Sequence, residues 1–381
     1  MEVSKGKTAC GNSMTHEINV GIVGAGKILR PHILALKIFK SIYTNLDVKI
    51  NVVAIADVDE ARARSAAEIY KIDKWTNNWH YITENKYIDT VIILTPPYAH
   101  MEIAVDAADN GKNILCEKPL ARKSSEAYVM WEHVNKNKVI NMVGFNYRWL
   151  PSIRFIKQLL DTNLLGDIYY LNAIFYEDFG LSNQYNWRYN KELSGGGVLM
   201  DLGTHLFDLV HYLTNDIIST TYARLINVIS KRDLYEVSVE DWASILFITE
   251  KRQITGSLEA SWIATGRKNS LRIEVYADKG SVVFDLERPL EIGLYFSKDS
   301  PEFAGFRRIL MGPAHPYGEY MIYPNPGNGM GYMDSILNEY YEFINGIIYD
   351  RSPEPNFYHG YIVNKIIDNI YENNKILFKT I

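Results

Sequence analysis

The sequence predicts an α/β protein of two domains: a helix-covered parallel sheet, then a domain built on antiparallel strand pairs. Three observations carry this. Residues 18–38 read as strand, glycine turn and helix. From there to residue 143, apolar strands alternate with helical periods, and the later strands end in polar clusters. Beyond residue 221, short β-branched and aromatic runs are joined by tight turns.

Residues 18–23 form a short apolar run, and Gly24-Ala25-Gly26 follows at once. Ile28, Leu29, Ile33, Leu36 and Ile38 then recur at helical spacing. A strand, a glycine turn and a helix in that order bring backbone N–H groups and a helix N-terminus to bear on a pyrophosphate. Leu29 stands where a third glycine is expected, but that glycine serves helix–strand packing rather than phosphate contact. Residues 48–56 are an almost unbroken apolar run, as for a strand buried on both faces, and Asp57 ends it. A carboxylate at that tip accepts from both ribose hydroxyls and repels a 2′-phosphate, so NAD is expected over NADP.

The alternation continues. Residues 90–94 form a buried strand ending in Thr95-Pro96-Pro97-Tyr98-Ala99-His100, and residues 113–116 one ending in Glu117-Lys118-Pro119. A third strand, residues 139–143, ends in Gly144-Phe145-Asn146-Tyr147-Arg148. Three polar clusters at the carboxyl ends of successive strands point to one crevice. Residues 167–175 read as a further strand, and Trp187-Arg188 stand on the loop before three glycines. Gly195-Gly196-Gly197 open a turn, and Val198, Leu202, Leu206 and Val210 mark a helix after it. On that helix Asp201 and His205 are four residues apart and project from one face. A carboxylate beside an imidazole, with a lysine delivered from another element, suits proton transfer to or from a hydroxyl. Strand pairs 242–248 with 254–262, and 270–277 with 281–286, follow. Helices over 334–349 and 361–373 close the chain.

Composition sets limits. At 381 residues the chain exceeds what one core usually serves. The net charge of −5, without a lysine or arginine run, gives no footprint for nucleic acid or an anionic membrane. Cys10 and Cys116 are the only cysteines, which points away from a disulfide framework and towards a cytoplasmic setting. No apolar run is long enough to span a bilayer. Residues 1–17 lack an apolar signal core and are expected to form a flexible tail. No cluster has metal-ligand spacing, and hydride transfer to nicotinamide needs no metal.

The chain resembles the glucose–fructose oxidoreductase/inositol dehydrogenase (Gfo/Idh/MocA) family. The matching residues are Gly24-Ala25-Gly26, Asp57, Thr95-Pro96-Pro97 with His100, Glu117-Lys118-Pro119, and the triple glycine with Asp201 and His205. The resemblance implies a Rossmann-like parallel sheet over residues 18–145. It implies a substrate and oligomerisation domain over 146–381, with a large, mostly antiparallel sheet and a C-terminal helix packing back on the first domain. It also implies NAD-linked oxidation or reduction of a sugar or polyol by a homo-oligomer, a dimer or tetramer.

The same resemblance assigns the cofactor to Gly24, Gly26, Lys27, Ile28 and Asp57 on the first two strands. Thr95, Pro96, His100, Glu117, Lys118, Asn146 and Arg148 complete that set from the later ones. Substrate falls to Tyr147, Arg148, Trp187 and Arg188 together with Lys118, Asp201 and His205. In the reaction His205 is the expected base, Asp201 holds the imidazole or a neighbouring hydroxyl, and Lys118 stabilises alkoxide character. A Lys118 base is the alternative proton assignment. Other readings of the whole are an NAD-cycling glycoside hydrolase or lyase, and a silent NAD-binding regulator. Residues 301–332 show neither helical nor strand periodicity but are rich in aromatics. They are expected to act as a lid carrying His315 and Tyr317, or as an arm across a subunit interface.

Overall fold

The computed structural model describes residues 15–329 and 331–379; Cys10 and most of the expected N-terminal tail lie outside them. The first sheet has six parallel strands: β1 (His16–Val23), β2 (Val48–Ala56), β3 (Lys74–Thr76), β4 (Thr90–Ile93), β5 (Asn113–Glu117) and β6 (Asn141–Gly144), in the order β3-β2-β1-β4-β5-β6. Order reverses between β1 and β4, the switch point at which such sheets open a ligand crevice. Helices α1 (Leu29–Ile42), α2 (Glu60–Tyr70), α3 (His80–Glu84), α4 (His100–Asp109) and α5 (Ser124–Lys136) make the crossovers. The apolar stripe read from the sequence is the buried one: Leu29, Ile33, Leu36 and Phe39 of α1 face the sheet. β1 begins at His16, two residues before its apolar run, because it pairs with β2 from His16↔Val48 onward.

After α6 (Pro151–Asp161) the chain enters a nine-stranded sheet at β7 (Ile168–Tyr176). Two short helical pieces follow, α7 (Lys191–Ser194) and α8 (Thr204–Thr214). β8 (Ile218–Asn227) returns to the sheet, and β9 (Lys231–Arg232) and β10 (Tyr235–Glu236) form a separate ribbon. The hairpins expected from the turn residues are β11 (Trp242–Thr249) with β12 (Thr255–Ser261), and β13 (Ser270–Ala277) with β14 (Gly280–Asp285). β15 (Glu291–Phe296) and β16 (Arg307–Leu310) extend one edge. After α9 (Tyr332–Ile348) and α10 (Phe357–Asn373), β17 (Ile376–Phe378) joins the other edge, parallel to β8. β7 and β12 are also parallel, and the remaining pairs are antiparallel. Leu171, Ala173 and Phe175 of β7 face the core, while Tyr222 and Leu246 stand exposed on the sheet. α10 packs against α5, tying the C-terminus to the first sheet. Among the described residues no helix is long and apolar enough to cross a membrane.

Part of the segment expected to be a lid or an arm packs within its own subunit. β16 pairs with β15, and Met311 and Met321 are buried in the core. His315 meets Phe155 of α6 edge-on, and Tyr317 packs on Trp149 and Arg154. Neither ring lines the cleft between the two sheets. Tyr317 and Tyr320 strap α9 to α1 and α6, with Tyr320 packed against both Tyr43 and Tyr341, while Phe303, Phe306 and Tyr323 stay exposed. Met321→Ala is therefore expected to cost about 2–5 kcal/mol of stability, read by chemical denaturation, with sugar KM unchanged in the folded fraction. A raised KM at wild-type stability would restore the lid.

Candidate active site

The crevice begins at the glycine turn. Gly24 adopts φ 112°, and a Cβ there would lie 2.6 Å from the Leu94 carbonyl carbon, so the turn admits only glycine. Backbone N–H groups of Gly26, Lys27 and Ile28 have no partner among the described residues, and α1 opens at Leu29 without a side-chain cap. Thr95 Oγ1, at the end of β4, is buried and unpartnered. Free N–H groups at a helix N-terminus and an orphaned hydroxyl fit a bound pyrophosphate. Asp57 accepts from Ala25 N (2.8 Å) and Asp59 N (2.9 Å), one bond to each oxygen, which fixes the carboxylate and leaves it lone pairs for ribose hydroxyls. Arg62, the nearby cation, is held by Asp59 (2.8 Å).

At the end of β5, Lys118 reaches across to the second half of the chain. Its Nζ donates to the Asp201 carbonyl (2.9 Å) and to Asp201 Oδ1 (3.0 Å). Asp201 Oδ2 accepts from Trp262 Nε1 (3.1 Å), and Arg188 Nε stands 3.6 Å from it. Burial alone would raise the Asp201 carboxyl, but Lys118 and Arg188 overcome it and hold it well below the usual carboxylate range. The expected Asp201–imidazole bond is not made: both carboxylate oxygens are committed to other partners.

The continuous α-helix expected after the glycines is also interrupted. Leu199–Gly203 form a π-helical turn before α8. Its start is pinned from outside the helix: Glu240 Oε1 accepts Leu199 N (3.0 Å) and the Glu240 carbonyl accepts Val198 N (3.0 Å). A Cβ on Gly197 would lie 2.0 Å from that carbonyl. The wide turn opens the backbone ladder where Lys118 places its donor on the Asp201 carbonyl.

His205 is buried among Tyr147 (ring centroids 4.6 Å), Phe175 (5.9 Å) and Phe145 (6.0 Å). Burial, reinforced by the Lys118 charge, pushes its pKa well below the ordinary histidine value, so the ring is a neutral acceptor. The adjoining cleft is lined by Pro97, Pro119, Trp187, Arg188, Asp201 and Trp262. Two members of this site carried no sequence signal. Trp262 directly follows β12 and reads as an ordinary buried strand residue. Glu177 follows β7, where burial and the Asp201 charge push its carboxyl up to about 7.

Three assigned residues lie elsewhere. Arg148 is buried with Asp208 of α8, Nε to Oδ2 at 2.7 Å and Nη2 to Oδ1 at 2.6 Å, so its charge is spent on the interior and not on cofactor or substrate. His100 is fully buried, with its ring nitrogens facing the carbonyls of Thr95 (2.7 Å) and of Pro119 (3.0 Å) and Leu120 (3.2 Å). It ties two strand ends together rather than touching the cofactor. Asn146 is buried and donates to Ser335 Oγ of α9 (2.9 Å). Tyr147 supports His205 with its ring, and its hydroxyl accepts from Asn269 (3.4 Å).

Residues 18–145 match the family described as the oxidoreductase family with an NAD-binding Rossmann fold, and residues 153–283 match the GFO/IDH/MocA C-terminal domain. The chain belongs to the Gfo/Idh/MocA oxidoreductases. Levoglucosan dehydrogenase of Pseudarthrobacter phenanthrenivorans is 32% identical over 93% of this chain and 96% of its own length. Glucose-6-phosphate 3-dehydrogenase of Bacillus subtilis is 25% identical over 93% of this chain and 96% of its own. A solved levoglucosan dehydrogenase in complex with NADH and levoglucosan superposes with a TM-score of 0.91 at 33% identity, covering 94% of this chain and 97% of that one. This chain is accordingly an NAD-dependent oxidoreductase.

Asp57 carries the cofactor choice. Each charge-assisted hydrogen bond lost is worth about 1.5–3 kcal/mol, so Asp57→Ala is expected to raise the Kd for NAD+ by roughly ten- to a hundredfold. NADP+ should gain relative to NAD+ in the same titration. An unchanged preference would remove Asp57 from the ribose.

Proposed function

We propose that this enzyme transfers hydride between NAD and a secondary hydroxyl of an uncharged sugar. The observation that carries the reading is the Lys118–Asp201 pair at 3.0 Å beside a buried, neutral His205. Bound nicotinamide supplies the hydride acceptor or donor. The chain supplies the rest. The Lys118 ammonium donates to the substrate oxygen and stabilises its alkoxide character. His205, already neutral, takes the hydroxyl proton and returns it in the reverse direction. Asp201, fixed by Trp262, holds the Lys118 side chain beside the cleft.

The charge balance around the cleft supports a substrate without a phosphate. Lys118 and Arg188 meet the carboxylate of Asp201, Glu177 adds a second carboxyl, and Lys268 is taken by Asp178 (2.8 Å). A phosphate ester needs surplus positive charge, and once Glu177 ionises the two cations here are matched by two carboxylates. Trp187, half-buried on the cleft wall, offers an apolar surface suited to the C–H surface of a sugar ring. The similarity to levoglucosan dehydrogenase, named for a sugar with no charged group, points the same way. Turnover of NAD+ over a panel of free sugars, anhydrosugars, polyols and sugar phosphates tests this. Activity on sugar phosphates alone would refute it.

Lys118→Ala and His205→Ala are each expected to lower kcat by about 10²–10⁴-fold with the Kd for NAD+ nearly unchanged. Because His205 is depressed, kcat should remain level as pH falls through 6.5, with its acid limb well below. An inflection near 6.5 would mean an ordinary, solvated histidine. Glu177 should place a separate inflection in sugar KM near pH 7, since above that pH it adds a second negative charge to the cleft. Glu177→Gln should abolish that inflection, and its survival would assign it to another group.

We further propose that copies of the chain assemble through the open sheet face, where Tyr222 and Leu246 are 69% and 57% exposed. A monomeric mass in solution, or an oligomer untouched by Tyr222→Glu with Leu246→Glu, would exclude this.

A further inference from the structure

Directly behind the Glu117-Lys118 turn lies a buried cluster that the chemistry above leaves unexplained. His32 of α1 is fully buried and bridges two elements: Nδ1 lies 2.8 Å from the Tyr340 hydroxyl of α9, and Nε2 lies 3.0 Å from Glu117 Oε1 at the end of β5. The other Glu117 oxygen accepts the Lys118 backbone N–H (3.2 Å). β6 boxes this carboxylate in, since a Cβ on Gly144 would fall 2.9 Å from Glu117 Oε1. Glu339 of α9 completes the group. It is fully buried, neither of its oxygens has a hydrogen-bond partner, and it offers a ligand atom within 4.8 Å of those of His32 and Glu117.

The groups facing Glu339 are Glu117 from β5, His32 from α1, and Tyr332 and Tyr340 from its own helix. No lysine or arginine contributes to its electrostatic surroundings among the described residues. Two carboxylates this close, enclosed and with no lysine or arginine to compensate them, cannot both stay ionised. Glu117 already has two donors that favour its charge, the His32 ring and the Lys118 N–H. The proton therefore belongs on Glu339.

We propose that Glu339 is a positioning residue for the reaction: as a neutral acid it donates to the Glu117 carboxylate, directly or through one enclosed water, and with His32 fixes the turn that aims Lys118 at Asp201. The inference rests on the role given to Lys118 above. In this arrangement the Tyr340 hydroxyl donates to His32 Nδ1, which fixes the tautomer whose Nε2–H donates to Glu117. Three elements, α1, β5 and α9, then converge on one carboxylate immediately before the catalytic lysine.

Burial and the Glu117 charge push Glu339 well above the usual carboxylate range. A carboxyl raised in the folded state contributes stability that is complete below its unfolded pKa and is lost as pH rises towards the folded one. Glutamine, which mimics the neutral acid, carries no such loss.

The test compares wild type, Glu339→Gln and Glu339→Ala by unfolding at pH 4.5 and pH 8, and by kcat with NAD+ and the best uncharged sugar of the panel, levoglucosan first. Glu339→Gln should match wild type at pH 4.5, exceed its stability at pH 8 and retain turnover. Glu339→Ala should lose kcat roughly tenfold or more with the Kd for NAD+ little changed. The proposal is overturned if Glu339→Gln loses as much kcat as Glu339→Ala, or is less stable than wild type at pH 8. Stoichiometric divalent metal in the wild type, absent from Glu339→Gln, would also overturn it by making Glu339 an anionic ligand. Should wild type turn over no uncharged sugar, the functional reading fails, while the stability comparison still decides the protonation of Glu339.

Discussion

Lys118 directly follows a strand of the parallel sheet and Asp201 lies in the π turn that leads into α8, 83 residues further on, yet their side chains meet at 3.0 Å. A largely buried ion pair loses hydration on both sides and repays it only with good geometry and further hydrogen bonds. Here those bonds exist: Trp262 takes the second Asp201 oxygen, and the Asp201 carbonyl shares the ammonium. The pair thus fixes the two halves of the crevice relative to each other. It also holds a cation next to His205, which is one reason that the imidazole stays neutral.

The surrounding structure keeps that arrangement from relaxing. Glu240 pins the start of the π turn, and Tyr371 of α10 donates to the same Glu240 oxygen (2.8 Å), so the C-terminal helix reaches the site indirectly. Three aromatic rings confine His205. The Arg148–Asp208 pair, which joins the segment after β6 to α8, orients the same helix from its buried side. Confinement of this kind favours chemistry that depends on placement more than on new contacts formed during the reaction.

Much of this was legible in the sequence because it is written in local signals. The glycine turn, the strand-ending Asp57 and the hairpins at 250–252 and 278–280 each depend on neighbouring residues alone. The Lys118, Asp201 and His205 trio was visible because the family resemblance placed them together. What stayed hidden depends on contacts across the fold. The π turn arises from Glu240, some forty residues away, which no helical periodicity can report. Glu177 and Trp262 lie at strand ends and gain their roles only when β7 and β12 pair side by side. Arg148 was assigned to the ligands by the family resemblance, but its partner, Asp208, comes from α8. His100 misled for the same reason: three backbone carbonyls, invisible in sequence, had already claimed its ring.

The central claim is that Lys118 and Asp201 act as one unit, and a double-mutant cycle on kcat/KM measures this directly. With Lys118→Ala, Asp201→Asn and the double variant, the account predicts strongly overlapping losses, with a coupling energy of about 0.5–3 kcal/mol. Losses that simply add, within about 0.3–0.5 kcal/mol, would mean that the two residues serve the reaction independently and would contradict it.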